Sequence, residues 1–268
     1  MRQQSSLARL LASAAVTAIL ALGLGGCQTM ADISGSLTSP ASPSPDADLR
    51  HSVDVDGERY RANPKDAEAA LAYGQALRAT GQRAQAVAVL EQATIAHPDN
   101  KLLLGSYGRA LADNGNFQQA FDVLGRAHSP DDPDWRILSV QGTALDQLGR
   151  HDDARRYYAS ALKIAPDEPS VLSNLGLSYV LSGDLPKAEE TLRRAYASTR
   201  ADARVRQNLG LVVGLQGRFA EAESIVKADL PADEAAANVA YLKEILSRKD
   251  NPRTGSGTIP VASLNRPD

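Results

Sequence analysis

At 268 residues, with 29 basic and 32 acidic side chains and a formal net charge of −3, the chain carries no field that would draw nucleic acid. A single cysteine excludes a disulfide framework and a cysteine metal site. Aromatic residues make up only 4%, and alanine and leucine supply most of the apolar content, which suits closely packed helices.

Residues 1–26 have the layout of a bacterial export signal. Arg2 and Arg9 form a positive start, and Leu10 to Leu24 is apolar but short for a membrane-spanning helix. The stretch ends in Leu24-Gly25-Gly26-Cys27, small residues before the only cysteine, and resembles the bacterial lipoprotein box. That resemblance implies lipid attachment at Cys27, palmitate included. Two or more acyl chains would anchor stably where one would not. Gln28 stands where an aspartate would signal retention at the inner membrane, so the implied site is the periplasmic face of the outer membrane. Residues 27–62, with the run SPASPSPDAD, are expected to form a lipidated linker spanning roughly 30–35 Å as a flexible coil.

From residue 67 onward one period governs the chain. Glycine recurs every 34 residues at Gly74, Gly108, Gly142, Gly176 and Gly210, and a second series follows at Gly81, Gly115, Gly149, Gly183 and Gly217. Alanine keeps the same step at Ala86, Ala120, Ala154, Ala188 and Ala222. A fixed period of this size predicts an all-α solenoid of helix pairs. Five pairs are expected, at 67–100, 101–134, 135–168, 169–202 and 203–236. Gly81 and its equivalents should cap the first helix of each pair in the left-handed conformation. The small residues should mark close helix approach, filled by Leu90, Leu124, Tyr158 and Leu192.

These positions resemble the tetratricopeptide repeat, with Gly at position 8, Ala at 20 and 27, and large residues at 4, 11 and 24. The chain departs from that pattern at Gln141 (usually apolar), at Ser129-Pro130, and at Asp229 with Pro231. The fifth pair should therefore stop near Ala228. A further helix over about 232–247, striped by Ala235, Val239, Leu242 and Leu246, reads either as a cap sealing the last repeat or as an exposed docking helix. Residues 249–268 lack periodicity and are expected to form a disordered tail.

In this repeat family the first helices line a concave groove. Its first three units would present Glu68, Gln75, Arg78, Arg109, Asp113, Arg136, Thr143 and Asp146, a polar set. The last two would present Leu177, Val180, Leu181, Leu211 and Leu215, with Asn174 and Asn208 one repeat apart. That set reads as an apolar peptide groove whose asparagines bond a ligand's backbone, or as a surface covered by the C-terminal helix. Trp135 either packs at a repeat junction or offers a partner an anchor.

Chemistry has little support. No pair among His51, His97, His128 and His151 has metal-ligand spacing, and no catalytic or phosphate-binding motif is present. No metal, cofactor or catalytic residue is expected.

The stretches QNLGLVVGLQGRFAEAE and ADLPADEAAANVAYLKEIL, with the lipoprotein box and five repeats, resemble the TadD family of tetratricopeptide lipoproteins of the tight-adherence (Flp pilus) secretion system. The resemblance implies a pilotin-like, non-enzymatic assembly factor with the outer-membrane secretin or another pilus component as partner. A lipoprotein adaptor for peptidoglycan enzymes is the alternative on the same fold.

Overall fold

The computed structural model describes residues 45–250, which form twelve helices. They are α1 (Pro45–Ala62), α2 (Ala67–Ala79), α3 (Arg83–Ala96), α4 (Lys101–Asp113), α5 (Phe117–Arg126), α6 (Trp135–Gln147), α7 (His151–Ile164), α8 (Pro169–Leu181), α9 (Leu185–Tyr196), α10 (Ala203–Leu215), α11 (Phe219–Val226) and α12 (Ala232–Asp250). Cys27, the export signal, linker residues 28–44 and tail residues 251–268 lie outside the described residues.

Helices α2 to α11 form the five expected pairs. Each of Gly81, Gly115, Gly149, Gly183 and Gly217 has φ between 75° and 86°. The N–H of the following residue reaches back to the carbonyl five residues earlier, as from Gln82 to Leu77 at 2.8 Å and from Arg150 to Leu145 at 2.9 Å. This glycine cap satisfies two orphan carbonyls and turns the chain sharply. First helices also start by a rule. Asp66, Asn100, Asp134 and Asp202 share one position of the 34-residue repeat and each accepts a backbone N–H of the following turn. Glu168 holds the same place without such a bond, and Pro169 opens that helix instead.

The core runs as a spine between paired helices. Ala86, Ala120, Ala154, Ala188 and Ala222 are all buried, as are Leu90, Leu124, Tyr158 and Leu192. A Cβ placed on Gly142 would lie 2.6 Å from the Tyr158 ring, and one on Gly176 2.6 Å from Leu192 Cγ. Glycine is therefore what lets the second helix insert its large residue. First helices of neighbouring repeats also touch one another, while neighbouring second helices make no comparable contact. The row thus curves with α2, α4, α6, α8 and α10 on its inner face.

The N-terminal end departs from sequence expectation. The linker was expected to extend to residue 62, but α1 occupies its second half and packs on α2. Val53 and Tyr60 join the first core cluster, Gly57 is buried, and the Tyr60 ring stacks on Tyr73 at 5.6 Å. These contacts cover a face of the first repeat that would otherwise meet water. At the other end α11 stops at Val226, and α12 closes the array. Ala235 and Leu242 are buried, and Leu242 reaches 2.5 Å from the position of a Cβ on Gly214. This favours the cap over the docking helix. Helix α12 continues to Asp250, a little past the expected start of the tail.

Asp229 is explained by a substitution that comes with it. In the first four repeats, position 4 packs near the alanine of position 27, as Leu172 does beside Ala195 and Leu104 beside Ala127. In the fifth, Arg206 and Asp229 occupy these two places and form a two-pronged ion pair, and Arg206 also donates to the Ala201 carbonyl at 3.0 Å. An apolar contact has been exchanged for a charged one with its partner supplied.

Candidate protein-binding groove

The inner face is built by direct ties between first helices. Asn174 Nδ2 donates to Ser139 Oγ at 3.1 Å, and Asn208 Nδ2 to Ser173 Oγ at 2.9 Å. Both bonds cross from one repeat to the previous one. The asparagines therefore spend an N–H on holding α6, α8 and α10 in register.

An open cleft of about 390 Å³ lies in the middle of this face, lined by Arg109 from α4, Trp135, Arg136, Ser139 and Val140 from α6, and Ser170 and Asn174 from α8. Trp135 is half-buried against the core of the third repeat, and the Arg136 guanidinium lies 4.5 Å over its ring. Trp135 thus packs at the repeat junction, and its remaining surface lines the cleft. Arg109 is half-buried, and loss of water holds its pKa below the ordinary arginine value; Asp134 and Asp113 oppose this, while Arg78 and Arg136 add to it.

The predicted apolar set does not act as one surface. Val180 was placed in the groove but is buried in the core with Leu192 and Val212, because its side chain falls on the seam between α8 and its neighbours. Leu215 is half-buried on the same cluster, which Val239 of α12 also joins. Leu177, Leu181 and Leu211 are half-buried, and Asn208 is buried. Of the seven residues named from sequence, Asn174 alone lines the cleft.

Asp146 is likewise corrected. It was assigned to the groove, yet it is buried between α6, α7 and α8. Its Oδ1 accepts from Ser178 Oγ at 2.8 Å and from His151 Nδ1 at 2.9 Å, and its Oδ2 accepts from the Tyr158 hydroxyl at 3.0 Å. Burial raises its pKa against the pull of these donors. It likewise pushes the Tyr158 hydroxyl well above the usual tyrosine value, with the Asp146 charge adding to the effect. Gln141 has a comparable account. It is buried, its Oε1 lies 3.1 Å from His128 Nε2, and its Nε2 reaches the Phe121 carbonyl. Asp146 and Gln141 thus bond neighbouring elements of the fold.

Among the described residues, no cluster of His, Cys, Asp or Glu could hold a metal ion, and no helix is long and apolar enough to cross a membrane.

The comparisons agree with this architecture. No curated protein sequence matches the chain. Among solved structures, PilW, a type IV pilus biogenesis factor, superposes with a TM-score of 0.63 at 19% identity, over 72% of this chain and 91% of its own. A tetratricopeptide repeat protein from Parabacteroides merdae gives 0.62 at 14% identity, over 76% of this chain and 78% of that one. The Cut9–Hcn1 structure from APC/C gives 0.61 at 18% identity over 78% of this chain, which spans only 41% of the solved one. These likenesses establish the solenoid fold. The tetratricopeptide repeat profile matches residues 71–134, 124–169, 139–204 and 173–238, more than half of the sequence, and the chain belongs to the tetratricopeptide-repeat family.

Proposed function

We propose that this protein is a non-enzymatic, lipid-anchored assembly factor of the Flp pilus (tight-adherence) machinery, held at the outer membrane through Cys27. Its inner face holds a segment of the secretin or of another pilus component. The observation that carries the binding role is the continuous inner face of five first helices with an open cleft at its centre. The lipoprotein box and the C-terminal resemblance carry the location and the system. PilW adds a pilus biogenesis factor built on the same fold.

The test is a secretin multimer assay in cells carrying Cys27→Ser, or Leu177→Asp together with Leu211→Asp. Loss of multimers in the first reports the anchor. Loss in the second reports the half-buried leucines of the groove. Normal multimers and normal piliation in both would sink the proposal.

A further inference from the structure

Two arginines in the cleft have no assigned work. Arg109 is half-buried, yet its guanidinium donates no hydrogen bond and forms no ion pair among the described residues. Arg136 rests over Trp135, also without a carboxylate on its side chain. The nearby carboxylates are committed elsewhere. Asp113 accepts from Arg78 Nε at 2.7 Å, and Asp134 accepts the backbone N–H of Arg136 at 2.7 Å as the cap of α6. Three guanidiniums therefore stand against two carboxylates. Burial has cost the Arg109 guanidinium part of its water while no protein group takes up its donors, and an incoming carboxylate would satisfy them with a charge-assisted, two-pronged bond. Beside it, the exposed part of Trp135 offers an apolar face.

We propose that the groove takes a peptide segment whose acidic side chain enters this cleft to meet Arg109 and Arg136, with an apolar neighbour laid on Trp135. This rests on the reading that the inner face holds a protein segment, and it names that segment's chemistry. It also moves the centre of recognition from the leucines of the last two repeats to the junction of repeats two, three and four.

Trp135 is the only tryptophan of the chain, so its fluorescence reports the cleft without a label. The full chain would be panned against displayed random octapeptides. Selected peptides would be synthesised with twins in which Asp and Glu become Asn and Gln. The expected result is enrichment of acidic residues beside aliphatic or aromatic ones, and a shift of Trp135 emission on binding. Affinity should fall about tenfold or more for the amide twins, and about as much in Arg109→Gln or Arg136→Gln. Neither arginine side chain hydrogen-bonds the solenoid, and Arg136→Gln gives up only the contact with the Trp135 ring, so both variants should keep the parent's circular dichroism and melt within a few degrees of it. The twins test the same point on the unaltered protein. Peptides without acidic enrichment, or equal affinity for twins and variants, would overturn the acidic-segment proposal and leave the groove reading standing. If no peptide is selected at all, both fall.

Discussion

Alanine at Gly176 and alanine at Gly125 should move stability in opposite directions. Both glycines lie inside helices, Gly176 in α8 and Gly125 in α5, so intrinsic helix preference favours alanine at each by about 0.5–1 kcal/mol. At Gly176 the new Cβ would lie 2.6 Å from Leu192 Cγ and 3.1 and 3.2 Å from its two methyls. Carbon atoms rest about 3.5–4.0 Å apart. Leu192 is wholly buried, and the atom met is its branch point, which cannot swing aside. Either α8 and α9 separate or Leu192 leaves its rotamer, at a cost of about 1–3 kcal/mol. The net expectation is a loss of about 1–2 kcal/mol. At Gly125 the nearest atom would be Gln141 Nε2 at 3.8 Å, an ordinary contact, and the helix preference survives as a gain. Urea melts followed by circular dichroism would give the midpoints. Trp135 fluorescence would report the centre of the array, where a solenoid can unfold piecemeal. For a domain of this size each kcal/mol is worth roughly 2–4 °C in melting temperature. A neutral Gly176→Ala, or a destabilising Gly125→Ala, would refute the packing argument.

Three further outcomes follow from the polar contacts. Asp229→Ala strands Arg206 and should cost about 1–2 kcal/mol, whereas adding Arg206→Leu restores the apolar pair of the other repeats and should recover most of it, measured as a double-mutant cycle. Glu189 accepts from Arg218, Arg193 and Gln216, which hold its pKa down at about 2, chiefly through Arg218. With the folded value depressed, its contribution is complete above the usual 4.5 and is lost as pH falls toward 2, and Glu189→Gln should flatten that stretch of the stability profile. Asp146 has the opposite sign. Burial raises its pKa, so the native state binds the proton more tightly than the unfolded chain, and this group's contribution shrinks as pH rises from the ordinary carboxylate value through the raised one. Asp146→Asn should remove that slope in melts taken across the same range.

The repeat count, the helix pairs, the glycine caps and the C-terminal cap were legible because a solenoid repeats its own constraints, and five copies of one spacing identify them. Helix α1 was missed because its signal is faint. It buries only a narrow stripe of Val53, Gly57 and Tyr60 in an otherwise polar segment that follows a proline-rich run. The series Asp66, Asn100, Asp134, Glu168 and Asp202 was present in the sequence at the same step and would have placed each first-helix start. The groove was less legible. Helical position assigns a side chain to a face, but Val180 and Asp146 lie at the edge of the inner face, where a few degrees of rotation decide between groove and seam. The exchange at Arg206 and Asp229 needed both positions to be compared across all five repeats, and only one of them stood out as a departure.

The departures that remain are concentrated behind the cleft. Apolar packing between repeats is non-directional, and a leucine seam tolerates small slides. Hydrogen bonds fix register. Between α6 and α8, the two helices that supply most of the cleft, Asn174 bonds Ser139 and Ser178 bonds Asp146, one tie on the inner face and one in the seam. Tyr158 adds a third bond to Asp146 from α7, while Gln141 meets His128, which precedes α6. The third repeat thus gives up apolar residues where its neighbours keep them and gains directional ties on both sides. The cleft draws most of its lining from α6 and α8, and it keeps its shape only while those two helices stay in one register. Cutting a tie without touching the cleft, as in Ser178→Ala, should therefore weaken peptide binding while leaving both arginines in place. Unchanged affinity in that variant would show that the leucine seam alone sets the register.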